Sequence, residues 1–284
     1  MLHDRSLVDY SNDRNSEATC RRRRLERPRR RALAVVRPAR PCDLRRVSQT
    51  RVDLAGLTTH LVGPVDAPIT CVLLHGFGAP GDDLVALGGE LADAAPVRFV
   101  FPEAPLELGG LYGDSRAWWM LDLERLEDDL RRGVPRDRRD EVPDGLPDAR
   151  AHVLRLLDQL QARYSVAAER IVLGGFSQGA MLALDVALHR AAPPAGMILM
   201  SGTLIAEQEW RSRLASLAGV PVMLSHGRHD SLLPFSAAEL LRDRLTAAGA
   251  VVDWQPFLGG HEIPRGVLAA AGALLAGCVP GQGR

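Results

Sequence analysis

The chain has 284 residues, enough for one large domain or two small ones. Apolar residues make up 46% and charged residues 25%, the balance of a globular protein with a sizeable core. No stretch approaches the roughly 18 consecutive apolar residues of a membrane helix, which excludes that class. The net charge of zero hides an asymmetry: residues 1–46 carry 14 Arg against six acidic residues, so the remainder is acidic.

Residues 1–49 read as a basic extension. They include RRRRLERPRRR and lack a sustained hydrophobic period. Arg-rich runs broken by Pro bury too little apolar surface to offset their ordering entropy, so disorder without a folded role is expected. The apolar piece Ala32–Val36 is too short for an export signal. A nucleic-acid-binding arm is the competing reading, because clustered Arg attracts phosphate whatever the base sequence. Cys20, Cys42, Cys71 and Cys278 lie far apart, with no C-x-x-C and no His at metal-ligand spacing. That points to a reducing compartment, with Cys71 a small core residue, and to no metal or cofactor.

Residues 50–284 read as one catalytic domain. THLVGP leads into PITCVLLHG, an apolar run ending in Gly that predicts a buried strand. GDDLVALGGELADAA has helical spacing, with acidic residues expected in its first turn. VRFVFPEAP predicts a strand stopped by Pro, and an irregular piece with a charged loop follows to about Gly145. Residues 147–163 repeat apolar positions at helical intervals. Strand RIVLGGF, helix QGAMLALDVALHR, strand AGMILMSG, helix EQEWRSRLASLAG and strand PVMLSHG come next. Helix SAAELLRDRLTAAG, strand VVDWQPF and helix PRGVLAAAGALLAG complete the chain. Strands alternating with helices over short connections predict an α/β fold with a mainly parallel sheet.

In such sheets ligands bind beyond the carboxyl ends of the strands. IVLGGFSQGAMLAL places G-x-S-x-G between a strand and a helix, the context of a nucleophile elbow. A turn that presents the Ser177 hydroxyl at its apex brings helix close to strand, so Gly175 and Gly179 are needed where side chains would clash.

A serine hydroxyl is a weak nucleophile until a base takes its proton. Among eight histidines, position eliminates most. His3 lies in the extension, His60 precedes the first clear buried strand, and His152 sits on a helix leading toward the start of a strand. His189, twelve residues along the helix after Ser177, would be roughly 18 Å away. His261, in FLGGHEIP after the last strand, is at a strand end. Asp230, in SHGRHDSLLP, is the acidic orienter at another, whereas Asp185 and Asp243 fall mid-helix and Asp253 inside a strand. His226 and His229 read as loop-packing residues. The order Ser177…Asp230…His261 is that of α/β-hydrolases. A tetrahedral intermediate needs N–H donors, for which the Gln178 amide and the Phe77 amide in LLHGFGAPGDD are the candidates. A phosphate-binding reading of that glycine loop fails, because neither G-x-x-x-x-G-K-[ST] nor G-x-G-x-x-G with a suitable acid is present.

LLHGFGAPGDDL, RFVFPEAP, SRAWWML, RIVLGGFSQGAMLAL, SHGRHDSLLP and GGHEIP, in that order, resemble the phospholipase/carboxylesterase family, which includes the acyl-protein thioesterases. The resemblance implies an α/β-hydrolase fold without a separate lid domain and metal-free hydrolysis of carboxylic esters through an acyl-enzyme. It implies a triad of Ser177, Asp230 and His261, an oxyanion hole of the Phe77 and Gln178 amides, and small-molecule esters as substrates. Many members are cytoplasmic homodimers. Thioesterase or lysophospholipase activity is the alternative within the same site, and a catalytically silent binding scaffold is the alternative of another class. Trp118, Trp119, Leu111 and Tyr112 are candidates for the acyl pocket. Trp118-Trp119-Met120 stands where the family usually has a Trp-Tyr-Asp-like triplet, and the stretch from Asp122 to Asp144 is unusually rich in arginine.

Overall fold

The computed structural model describes residues 49–109, 113–133 and 137–281. The expected extension up to residue 48 and the pocket candidates Leu111 and Tyr112 therefore lie outside the described residues.

Five runs without a charged side chain facing water organise the domain. β3 (Ile69–Leu74) and β4 (Val97–Pro102) are buried at every position, and β8 (Gly196–Met200) likewise. β7 (Ile171–Phe176) and β9 (Pro221–Gly227) are buried at all but one end residue. Strands covered on both faces are the mark of a parallel sheet flanked by helices. They form the centre of an eight-stranded sheet in the order β1-β2-β4-β3-β7-β8-β9-β10. From β4 to β10 (Val251–Phe257) every pairing is parallel, and β2 (Leu57–Val62) joins β4 antiparallel.

Side chains alternate along each strand into two cores. Val72, Leu74, Leu199 and Leu224 face the side covered by α3 (Leu146–Tyr164), α4 (Gln178–His189) and α6 (Phe235–Ala247). Cys71, Leu73, Ile198 and Met223 face the side covered by α1 (Val85–Leu91) and α7 (Arg265–Cys278). Cys71 is thus a core residue, and burial pushes its thiol pKa far up. No helix among the described residues is long and apolar enough to cross a membrane.

The structure corrects several local expectations. β1 (Gln49–Leu54) and β2 form a hairpin, so His60 lies within a strand. Its turn uses Ala55 and Gly56, both at positive φ, instead of the Asn-Gly that would have advertised it. Helix α1 begins only at Val85 and has no acidic residue in its first turn; Asp82 and Asp83 sit in the turns before it. The irregular piece contains a ribbon of β5 (Leu106–Glu107) with β6 (Arg116–Ala117) and a helix α2 (Leu123–Arg132). Residues 207–217 break into α5 (Glu207–Arg211) and a 3-10 turn (Leu214–Leu217), so they do not form one helix. His226 belongs to β9, not to a loop.

At the junction of β7 and α4 the glycine spacing has a direct steric cause. A Cβ on Gly175 would lie 2.5 Å from both the Leu74 carbonyl oxygen and the Gly179 carbonyl carbon. One on Gly179 would overlap the Leu74 carbonyl and lie 2.6 Å from His75 O. The obstacles are main chain of α4, of β3 and of the residue after it, and cannot swing away. Gly179→Ala is therefore expected to destabilise the protein by about 1–3 kcal/mol or more, measured as a thermal midpoint lowered by several degrees. Gly89→Ala is the control: this exposed position in α1 has nothing within 4 Å of an added Cβ. It should raise stability by up to about 1 kcal/mol; equal effects at the two sites would refute the steric account.

Candidate active site

Parallel register delivers the ends of β3, β7, β8, β9 and β10 to one edge of the sheet. At the end of β7, Ser177 adopts φ 54° and ψ −119°, a conformation that side chains rarely hold. Its amide donates to Met200 O at 2.8 Å, and its carbonyl accepts from Ala180 and Met181 in the first turn of α4. The strained residue is thereby fixed from both sides. Gln178 is the first residue of α4, so its backbone N–H has no intrahelical acceptor and stands at the positive end of the helix.

Asp230 and His261 come from loops that are locked together. His229 N donates to Gly259 O and Arg228 N donates to Phe257 O, both at 2.9 Å. The approach is so close that a Cβ on Gly227 would lie 2.6 Å from Gly259 O and would overlap Gly260 O. His261 Nδ1–H donates to Asp230 Oδ2 at 2.7 Å. Because a carboxylate only accepts, this bond fixes the tautomer and leaves Nε2 as the unprotonated nitrogen of the neutral ring. The other carboxylate oxygen accepts from the amides of Leu232 and Leu233, each at 2.9 Å. Burial alone would raise the Asp230 pKa. The hydrogen bond and charge of His261, with the two amides, outweigh it and hold the pKa below the ordinary aspartate value.

Two further histidines, unforeseen in the sequence, brace these loops. His75 receives the Ala104 N–H on Nε2 at 3.0 Å, so its Nδ1–H donates to Gly76 O at 2.8 Å. Its own carbonyl accepts from the Trp118 indole at 3.0 Å. Beyond Phe77, Gly78 N donates to Arg116 O and Arg116 N returns to Ala79 O, both at 2.9 Å. His226, fully buried, directs Nε2 at Leu233 O (3.1 Å) and Asp230 Oδ2 (3.4 Å). Desolvation lowers the pKa of both rings, against the opposing pull of their hydrogen-bond acceptors, so both are neutral near neutral pH.

Ser177, His261, Phe77 and Gln178 line one cavity of about 720 Å³, a size suited to an organic ligand. Trp119, Leu121, Val142, Met181, Ile205 and Leu233 give it apolar walls. Both tryptophans are buried; Trp119 is part of the cavity lining, whereas Trp118 lies outside it and packs against His75, with ring centroids 5.6 Å apart. The lining also carries charge, with Arg125 paired to Glu141 at 2.6 Å. Arg138, another lining residue, pairs with Asp129 at 3.2 Å. The arginine-rich stretch is therefore a wall of the cavity, tied down by Ala206 N to Glu141 O and Glu207 N to Arg139 O. Among the described residues, no group of three or more His, Cys, Asp or Glu side chains is placed to share a metal ion.

The neutral rings have a measurable consequence. In the unfolded chain His75 and His226 take protons below about pH 6.5, but in the native state they resist. The unfolded state then binds more protons, so stability present at neutral pH is lost as the pH falls through about 6.5. Each ring contributes up to about 1.4 kcal/mol per pH unit. Asp230 adds a more acidic step: its stabilisation is complete above about pH 3.9 and is lost as the pH falls through its lower native value. Thermal melts from pH 7 to 5 are expected to show a falling midpoint, with a shallower slope in His226→Gln. A midpoint independent of pH would mean that the native rings take up protons as readily as the unfolded ones.

Comparison with known proteins agrees with the geometry. The sequence profile described as phospholipase/carboxylesterase matches residues 64–278. The chain is 26% identical over 201 residues to acyl-protein thioesterase 1 of Gibberella zeae, covering 68% of this chain and 83% of that protein. It is 27% identical over 202 residues to the putative hydrolase MhqD of Bacillus subtilis, covering 68% and 84%. The crystal structure of esterase PE8 superposes with a TM-score of 0.67 at 31% identity, over 78% of this chain and 99% of that one. A carboxylesterase from Mesorhizobium loti shares the fold, with a TM-score of 0.63 at 20% identity over 81% and 99%. The chain belongs to the phospholipase/carboxylesterase family of α/β-hydrolases.

Proposed function

We propose that the protein is a serine carboxylesterase with Ser177 as nucleophile, His261 as general base and Asp230 as its orienter. One observation carries the reading: the His261 Nδ1–Asp230 Oδ2 hydrogen bond of 2.7 Å, in a cavity that His261 shares with a strained serine at a helix start. His261 Nε2 removes the Ser177 proton as Oγ attacks the ester carbonyl carbon. The carbonyl π electrons move to oxygen, and the amides of Phe77 and Gln178 stabilise the oxyanion. The oxyanion collapses, the C–O bond to the alcohol breaks, and His261 gives its proton to the departing alkoxide. Water then enters, loses a proton to His261 and attacks the acyl-enzyme. A second collapse releases the carboxylic acid and returns the proton to Ser177.

The apolar walls suit a small ester with a hydrocarbon acyl group. A thioesterase acting through the same residues is the second reading, favoured by relatives named acyl-protein thioesterase 1. Matched ester and thioester substrates turned over by one preparation separate the two.

The wild-type protein is expected to hydrolyse p-nitrophenyl butyrate and to be labelled by a fluorophosphonate probe. Ser177→Ala should keep the native circular dichroism spectrum, lose the label and lose at least about 10³-fold in kcat. Asp230→Asn should lower kcat by about 10²–10⁴-fold, because an amide in place of the carboxylate permits the wrong imidazole tautomer. Full activity in Ser177→Ala would place the nucleophile elsewhere. A wild-type protein without turnover or label would favour a silent scaffold.

A further inference from the structure

The Gln178 side chain has no part in the steps above, yet it is 3% exposed and makes two buried hydrogen bonds. Its Oε1 accepts the Trp118 backbone N–H at 3.0 Å, and its Nε2 donates to Trp119 O at 2.9 Å. The partners are main-chain groups of fixed polarity, so they dictate which end of the carboxamide faces which residue. A single side chain thus pairs with two consecutive residues of a distant segment, as a neighbouring strand would. The segment is suspended at a second point, where the Trp118 indole donates to His75 O at 3.0 Å. Next to these anchors, Trp119, itself buried, is part of the cavity lining.

Resting on the esterase reading, we infer that the Gln178 carboxamide is a positioning residue that sets acyl-chain selectivity. It couples the wall along which the chain runs to the amide that receives the oxyanion. Residue 178 carries both elements, so any displacement of Trp119 relative to the oxyanion site must break one of the two bonds or move the start of α4. A short acyl group does not reach far along this wall and senses the coupling weakly. A long one depends on it. Only a carboxamide both donates and accepts at these distances, which is why the residue after the nucleophile is specified by its side chain as well as by its amide.

The experiment compares kcat/KM for p-nitrophenyl octanoate and butyrate, with rates expressed per fluorophosphonate-titrated site so that misfolded protein does not count. Gln178→Glu is isosteric. Its carboxylate still accepts from Trp118 but repels Trp119 O. At pH 8 the octanoate-to-butyrate ratio is expected to fall about tenfold below wild type, while both substrates slow. Burial raises the pKa of the introduced carboxyl. Its protonated form regains a donor toward Trp119 O, so the ratio should recover at least about threefold by pH 5.5. Protonation of His261 affects both substrates alike and cancels in the ratio, which should stay flat with pH in the wild type. Gln178→Asn, which keeps the carboxamide but is too short to span both partners, should lower the ratio without pH dependence. It also serves if Gln178→Glu does not fold. An unchanged ratio in a folded Gln178 variant, or a Gln178→Glu ratio that does not respond to pH, overturns the inference while the esterase reading stands. A wild-type protein that neither labels nor turns over esters overturns both.

Discussion

Main chain touching main chain at the strand ends is the constraint on which the site depends. At the β7–α4 junction Gly175 and Gly179 press on each other and on the Leu74 carbonyl, and at the end of β9 Gly227 presses on Gly259 and Gly260. Neither contact has room for a Cβ. The first pushes Ser177 into its strained conformation and sets the start of α4 beside the loop after β3. The second draws the loop bearing Asp230 against the loop bearing His261. Both are contacts between backbones, so their geometry is as rigid as the sheet beneath them. Strain at Ser177 persists because Met200, Ala180 and Met181 all hold its backbone.

Upon this frame Asp230, His75 and His226 each hold polar partners suited to their charge. Asp230 accepts from two amides and one imidazole, and that sum reverses the pKa shift that burial would otherwise cause. His75 and His226 go the other way, kept neutral by burial, and act as fixed donors and acceptors. His75 ties β3 to the stretch after β4 and, through Trp118, to the wall of the cavity. Burial thus turns two imidazoles into neutral braces of the strand ends.

The parallel sheet and its strand ends were legible in the sequence because each strand is a continuous apolar run closed by Gly, Pro or a polar cluster. Gly175, Ser177 and Gly179 could be read together because their spacing has one steric meaning. Asp230 and His261 could be placed at strand ends, since each follows an apolar run that predicts a strand. What escaped was built from pairings between distant residues. The β1–β2 hairpin turns on Ala55-Gly56, which carries no turn signature. Helix α2 has Leu123, Leu126 and Leu130 at helical spacing, a short signal diluted by the charged residues around it. The roles of His75 and of the Gln178 side chain depend on carbonyls and amides more than 25 positions away. Trp118 and Trp119 look equivalent side by side and both are buried, but only Trp119 is part of the cavity lining.

Division of labour within the cavity has an evolutionary corollary. The reactive edge is assembled by strands whose register cannot shift without dismantling the core, whereas the charged wall belongs to residues 120–144, whose described residues add no strand to the sheet. Two ion pairs lie within that segment, and main-chain hydrogen bonds from Ala206 and Glu207 tie it to the chain after β8. Insertions, deletions or recombination there would remodel what the chamber admits and leave its chemistry intact. Divergence between members of such a lineage should therefore concentrate in this panel, as a lock is rekeyed without recasting the bolt.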